Sequence, residues 1–137
     1  MEKVLETFTQ KELAEWAVTN AKRYTGYIDI GDNDLKNEII SGAEKTLNER
    51  KEGVASAYDL RQAGFLANKL SQKSQSEISK YAARVFAQAI ATGHMRGHAI
   101  ASSDYAIRVV NLEDENERNS IIKERDKQIG LAYKMKN

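Results

Sequence analysis

From Lys80 onward the polar side chains return at every fourth residue, at Lys80, Arg84, Gln88, Thr92 and Arg96, and nearly everything between them is apolar or small. A strand would alternate every second residue, so this spacing reads as a helix, and one with a single narrow polar stripe has to be packed around most of its circumference. The run AARVFAQAIATGHMRGHAIASSDYAIRVV, residues 82–110, therefore predicts a buried central helix from about Glu77 to Gly93. Gly93 and Gly97 bracket a break, since glycine inside a helix costs about 1 kcal/mol relative to alanine. A further helix resumes beyond it, and its small residues Ala99, Ser102, Ser103 and Ala106 admit a close helix neighbour.

A buried helix needs others to bury it, and the flanking sequence supplies them. Thr9-Gln-Lys-Glu12 is a capping box, opening a helix whose apolar stripe is Leu13, Trp16, Ala17 and Ala21. Thr25 to Asp34, with two glycines and three aspartates, reads as the longest loop. Asn33 or Asp34 then caps a helix carrying Leu35, Ile39, Ala43 and Leu47 to a stop at Gly53. Ser56, with Asp59 as its reciprocal partner, opens another, with Leu60, Ala63, Ala67 and Leu70 on one face. NLEDENE, residues 111–117, reads as an acidic turn and helix start, and a last helix runs to about Tyr133 with Ile121, Ile122, Ile129 and Ala132 inward. No proline occurs, and Val and Ile keep helical rather than alternating spacing. The expectation is an all-α, single-domain bundle of about six helices spanning residues 1–137.

Composition narrows the function. With no cysteine, a disulfide framework, a thiolate zinc site and a cysteine nucleophile are all excluded. Twenty-one basic residues nearly cancel twenty acidic ones, leaving +1, which gives no electrostatic footprint for nucleic acid. The opening MEKVLETFTQKEL lacks the apolar core of a signal peptide, and no window reaches the length of a membrane span. The expectation is a cytoplasmic protein without membrane or nucleic-acid partners.

Four residues stand out as candidate binding positions: His94, His98, Asp104 and Tyr105. The histidines are the chain's only two, and their four-residue spacing lets two imidazoles share a helix face and a metal. No glutamate follows the first histidine and no third histidine exists, so the ligand set is incomplete. The expectation is no metal and no cofactor. The two histidines instead hydrogen-bond at the helix junction with Asp104 or Tyr105 nearby, and a metal- or ligand-binding role for them is the alternative. Asp104, isolated among small and apolar residues, calls for a partner, either a histidine or Arg108. Trp16 on its apolar stripe reads as core rather than as a ligand pocket. No nucleophile elbow, phosphate loop or dinucleotide fingerprint is present, so no enzyme is expected.

LAEWAVTNAKRY, then a charged helix ending in KEG, then ARVFAQAIATGHMRGHAIASSDYAIRVV, resembles the immunity proteins of bacterial polymorphic toxin systems, in the type-five-like group. Ala83, Ala87, Ala89, Ala91, Thr92, His94, His98, Ala99, Tyr105 and Ala106 match the motif of that group, and Leu13, Trp16, Ala17 and Ala21 match its first helix. The last helix departs from the pattern, with Ile121 and Ile122 where a tryptophan is usual. The resemblance implies an all-helical protein that acts by binding and occluding a cognate toxin. A homodimer is a further assembly left open.

Overall fold

A computed structural model describes residues 2–93, 96–113 and 118–136 of the chain. Seven α-helices and no strand occur among the described residues: α1 Glu2–Glu6, α2 Gln10–Lys22, α3 Asn33–Lys51, α4 Ala57–Gln72, α5 Glu77–Ala91, α6 Gly97–Glu113 and α7 Arg118–Lys136. A 3₁₀ turn, Thr25–Tyr27, follows α2. The all-α bundle expected from the periodicity is what forms. Both capping boxes are made, Thr9 with Glu12 and Ser56 with Asp59. The cap of α3 is Asp32, whose side chain accepts from the Leu35 N–H, one residue earlier than the expected Asn33 or Asp34.

The seventh helix is α1. Five residues are too few to hold a helix by propensity, so it shows no periodic signal, and its support comes from elsewhere. Leu5 and Phe8 are buried. Arg96 reaches across from the far side of the sequence and donates to the Phe8 and Leu5 carbonyls at 2.9 and 3.4 Å.

α5 is the centre, packed against α6, α4 and α2. Ala82, Val85, Phe86, Ala89 and Ile90 have no exposure. α3 lies farther out, leaning on α4, and buries only Ala43 and Leu47 along nineteen residues. It stops at Gly53, which sits at φ +79°, and the Val54 and Gly53 N–H groups bond the Glu49 and Arg50 carbonyls at 2.8 and 3.1 Å. This is a Schellman stop, and the left-handed backbone it needs is what glycine supplies without strain. The loop before α3 is tied down at Asp29, whose N–H donates to Ser79 Oγ at 2.7 Å while its carbonyl accepts from the Gln75 N–H at 3.0 Å.

The break after α5 is real, but Gly93 also has a packing role. A Cβ there would stand 2.4 Å from Leu60 Cδ2 and 2.5 Å from Leu47 Cδ1, so the absence of a side chain lets α3 and α4 close on the end of α5. The acidic segment divides differently from the expected turn: Asn111 to Glu113 still belong to α6, and 114–117 lie outside the described residues.

α7 overturns one expectation outright. Ile122 is 50% exposed, and the residues turned fully inward are Glu124, Gln128 and Ala132, with Ile121 and Ile129 only half-buried. The interior accepts this polar seam because every group in it is bonded. Arg23 donates to both Glu124 oxygens, Nη1 at 2.8 and Nη2 at 3.0 Å, and Tyr24 donates its hydroxyl to the same carboxylate. Gln128 Nε2 adds a bond at 2.6 Å, and the Gln128 carbonyl accepts from Trp16 Nε1 at 3.0 Å. Trp16 is thus core, with its one polar atom satisfied.

Candidate functional site

α5 and α6 form an antiparallel pair. Ser102 donates to the Val85 carbonyl at 2.7 Å, Gln88 meets His98 toward one end and Tyr81 meets Tyr105 toward the other. Tyr81, Arg84 and Gln88 recur at helical spacing on α5, and His98, Tyr105 and Arg108 on α6, so the two rows face each other along the outer seam of the pair. All are half-buried except Arg108, which is exposed. The seam is the polar stripe of α5 closed against its counterpart on α6.

Of the four candidate residues, the structure puts His98 and Tyr105 on this seam. His98 Nδ1 and Gln88 Oε1 are hydrogen-bonded at 2.5 Å. His98 borders a hollow of about 240 Å³ whose far wall is Arg61, Phe65 and Asn68 of α4. Tyr105 stacks on Tyr81, with ring centroids 6.1 Å apart and 27° between planes. His94 lies outside the described residues. Among the described residues no group of three or more His, Asp or Glu side chains is placed to hold a metal ion.

Asp104 takes a different direction. It projects toward α7, and its partner is Arg125, Nη2 to Oδ1 at 3.1 Å, rather than the histidine or Arg108 expected from the sequence. Arg125 also donates to Ser103 Oγ at 3.2 Å and to Gln128 Oε1 at 2.8 Å, joining Asp104 to the buried network around Glu124. Asp104 remains 63% exposed at its side chain, so this pair contributes little stability by itself.

The residues missed by sequence reasoning are the cations gathered on Tyr81. Lys80 Nζ, Arg84 Cζ and Arg108 Cζ lie 5.3, 5.5 and 5.3 Å from its ring centroid, and Arg108 donates to the Tyr81 hydroxyl at 3.2 Å. Arg84 also lies 5.8 Å from the Tyr105 centroid. Each cation over a ring gains about 0.5–1 kcal/mol at an exposed site. A signal existed, because an antiparallel pairing of the two rows brings these five residues together. Spacing on either helix alone does not reveal it.

Charge at the interior network is shifted by its surroundings. Burial, and then donation to Glu124, raise the Tyr24 phenol well above its ordinary value. Burial works against the charge of Arg23, yet its bonds and attraction to Glu124 together carry it above the ordinary arginine range. Both effects keep the Arg23 guanidinium charged and the Tyr24 phenol protonated, which suits a structural joint between α2 and α7.

A second concave surface lies between α3 and α4, a groove of about 640 Å³ floored by Leu35, Ile39, Ala43, Ala63 and Leu66. Its charged lining is wholly acidic: Glu38, Glu49 and Asp59. Asp59 is already engaged in the cap of α4.

These features define a compact helical scaffold with two outward faces of opposite charge. Residues 3–134 match the family model described as "Imm-5 like putative immunity protein", and the chain belongs to that family. No curated protein and no solved structure matches it. No helix among the described residues is long and apolar enough to cross a membrane.

Proposed function

We propose that this protein is an immunity protein that neutralises a cognate toxin by binding and covering it, in the cytoplasm of the cell that makes both. The observation that carries this reading is the family match, which spans nearly the whole chain and not one helix of it. The architecture supports it: neutralisation by occlusion needs a rigid surface of complementary chemistry and no catalytic group. A bundle whose helices are capped and whose joints are bonded side chains holds such a surface still, which limits the entropy lost on association. His98 and Tyr105 lie on the half-buried outer seam with two arginines and a second tyrosine, and tyrosine and arginine are residue types that dominate binding energy at protein interfaces. Asp104 acts behind them, as an anchor between α6 and α7.

The test is co-expression with the toxin domain encoded beside this gene. Growth should be restored in cells carrying both, and the two purified chains should elute together. Growth arrest unchanged by the protein, with separate elution, overturns the reading.

A further inference from the structure

We infer that the α5–α6 seam is the face that seats the partner, and that it takes a carboxylate-bearing surface of another protein; this rests on the toxin-binding reading above. Lys80, Arg84 and Arg108 converge on the Tyr81 ring, and among the described residues no carboxylate lies within ion-pair distance of any of them. Three like charges around one ring repel one another, and a fold selected only for stability would intersperse acids. Asp104 is placed to do so, four residues before Arg108 on the same helix, where an ion pair normally forms. It is instead turned to Arg125. The arrangement leaves the cationic cluster open.

The rings also prepare it for a particular ligand. Stacking on Tyr81 and Tyr105 restricts the arginine side chains, so little freedom remains to be lost on binding. A guanidinium presents a planar fork of donors that matches a carboxylate two bonds at a time. One end of the seam carries exposed aromatic surface: Phe65 is 62% exposed and borders the hollow beside Gln88 and His98. Tyrosines and arginines side by side, with a further exposed aromatic along the same face, are the residue types enriched at protein interfaces. A nucleic-acid backbone demands instead a field of cations spread over many phosphates, and a chain with net charge +1 does not carry one. The α3–α4 groove is the competing face, and its acidic lining calls for a partner of opposite sign.

The discriminating experiment measures binding of the neighbouring toxin domain to the full chain and to two variants, with thermal melting to establish folding. Arg84→Glu with Arg108→Glu should weaken binding by on the order of 100-fold or more, as loss of two interface anchors does. Leu66→Lys in the α3–α4 groove should leave it within threefold. Affinity for the unaltered chain should fall as sodium chloride rises. Should the glutamate variant not fold, Arg84→Gln with Arg108→Gln reads the same face without charge reversal. Salt-independent binding, or binding lost in the Leu66 variant and kept in the arginine variant, overturns the assignment. If the unaltered chain does not bind that toxin, the toxin reading fails separately, and the seam is judged with an oligoglutamate peptide and a DNA duplex as probes. Amide shifts at Tyr81, Arg84 and Tyr105 induced by the peptide, and absent from the arginine variant, then support the seam. No shifts there, or tighter binding of the duplex at equal salt, overturns it.

Discussion

The face that α5 turns to the bundle is Ala82, Val85, Phe86, Ala89 and Ile90, and the face that α7 turns inward is Glu124, Gln128 and Ala132. Each group of side chains is equally hidden from water, and the physics that hides them differs. Apolar groups enter a core without needing a particular neighbour, so α5 is held by volume and close contact with α4, α6 and α2. A carboxylate enters only if its charge and lone pairs are met, so α7 is held by bonds that must point in particular directions. The comparison teaches that burial alone does not say what fixes a helix: α5 is fixed by close apolar packing, and α7 is placed by Arg23, Tyr24 and Trp16 of the α2 segment.

The largest expected effect is on the α5 side. Phe86→Ala should lower stability by about 3–5 kcal/mol, from lost burial and a residual cavity that tight neighbours cannot close. Urea titration followed by circular dichroism reads it. A midpoint equal to that of the parent would mean that α5 is not the helix around which the rest is packed.

Next comes the polar joint. Arg23→Met removes one partner and leaves the Glu124 carboxylate buried and underpaired, a change that costs about 3–5 kcal/mol for a fully buried pair. The Arg23 side chain is 33% exposed, so water can partly replace it, and a loss of about 2–3 kcal/mol is the expectation. Adding Glu124→Gln to Arg23→Met should recover part of that loss, because a neutral amide needs no counter-charge. An additive double variant would show that α7 is held by its apolar fringe and that the contrast with α5 is false.

The difference also explains what was legible in the sequence. The position of α5 could be read because apolar periodicity is a local property of Ala82 to Ile90. The same reasoning applied to α7 picked Ile121 and Ile122 as inward, and Ile122 faces solvent. Glu124 and Gln128 are polar; the partners that let Glu124 be buried, Arg23 and Tyr24, lie about a hundred residues away, and the Gln128 amide is met by Glu124, Arg125 and the Ser103 carbonyl. The candidate site follows the same rule. His98 and Tyr105 stood out by rarity and helical spacing, whereas Tyr81, Arg84 and Arg108 acquire meaning only when two helices pair. Asp104 looked as if it belonged to Arg108 by proximity in sequence, and it belongs to Arg125 by packing of α7.

The joint also has an alkaline signature. The raised Tyr24 phenol, caused first by burial and then by its bond to Glu124, binds its proton more tightly in the folded chain than in the unfolded one. The stability it contributes is therefore complete below the unfolded phenol value of about 10 and lost as pH rises beyond it. Tyr24→Phe should cost about 1 kcal/mol at neutral pH through the lost hydrogen bond, and it should flatten the decline above pH 10. Equal alkaline slopes for parent and variant, measured by denaturant midpoints from pH 8 to 11, would remove Tyr24 from the network.

The smallest effect tests the orientation of α7 itself. At 50% exposure Ile122 has no core to lose, so Ile122→Lys should change stability by no more than about 0.5 kcal/mol, as surface substitutions away from caps and networks do. Were α7 rotated so that its isoleucines faced inward, as periodicity alone suggests, the same substitution would bury an unpaired ammonium and cost several times more. The outcome decides between two faces of one helix. A neutral Ile122→Lys together with a damaging Arg23→Met places the Glu124 face inside, and the reverse pair of results would put an ordinary apolar helix there and make α7 a second α5.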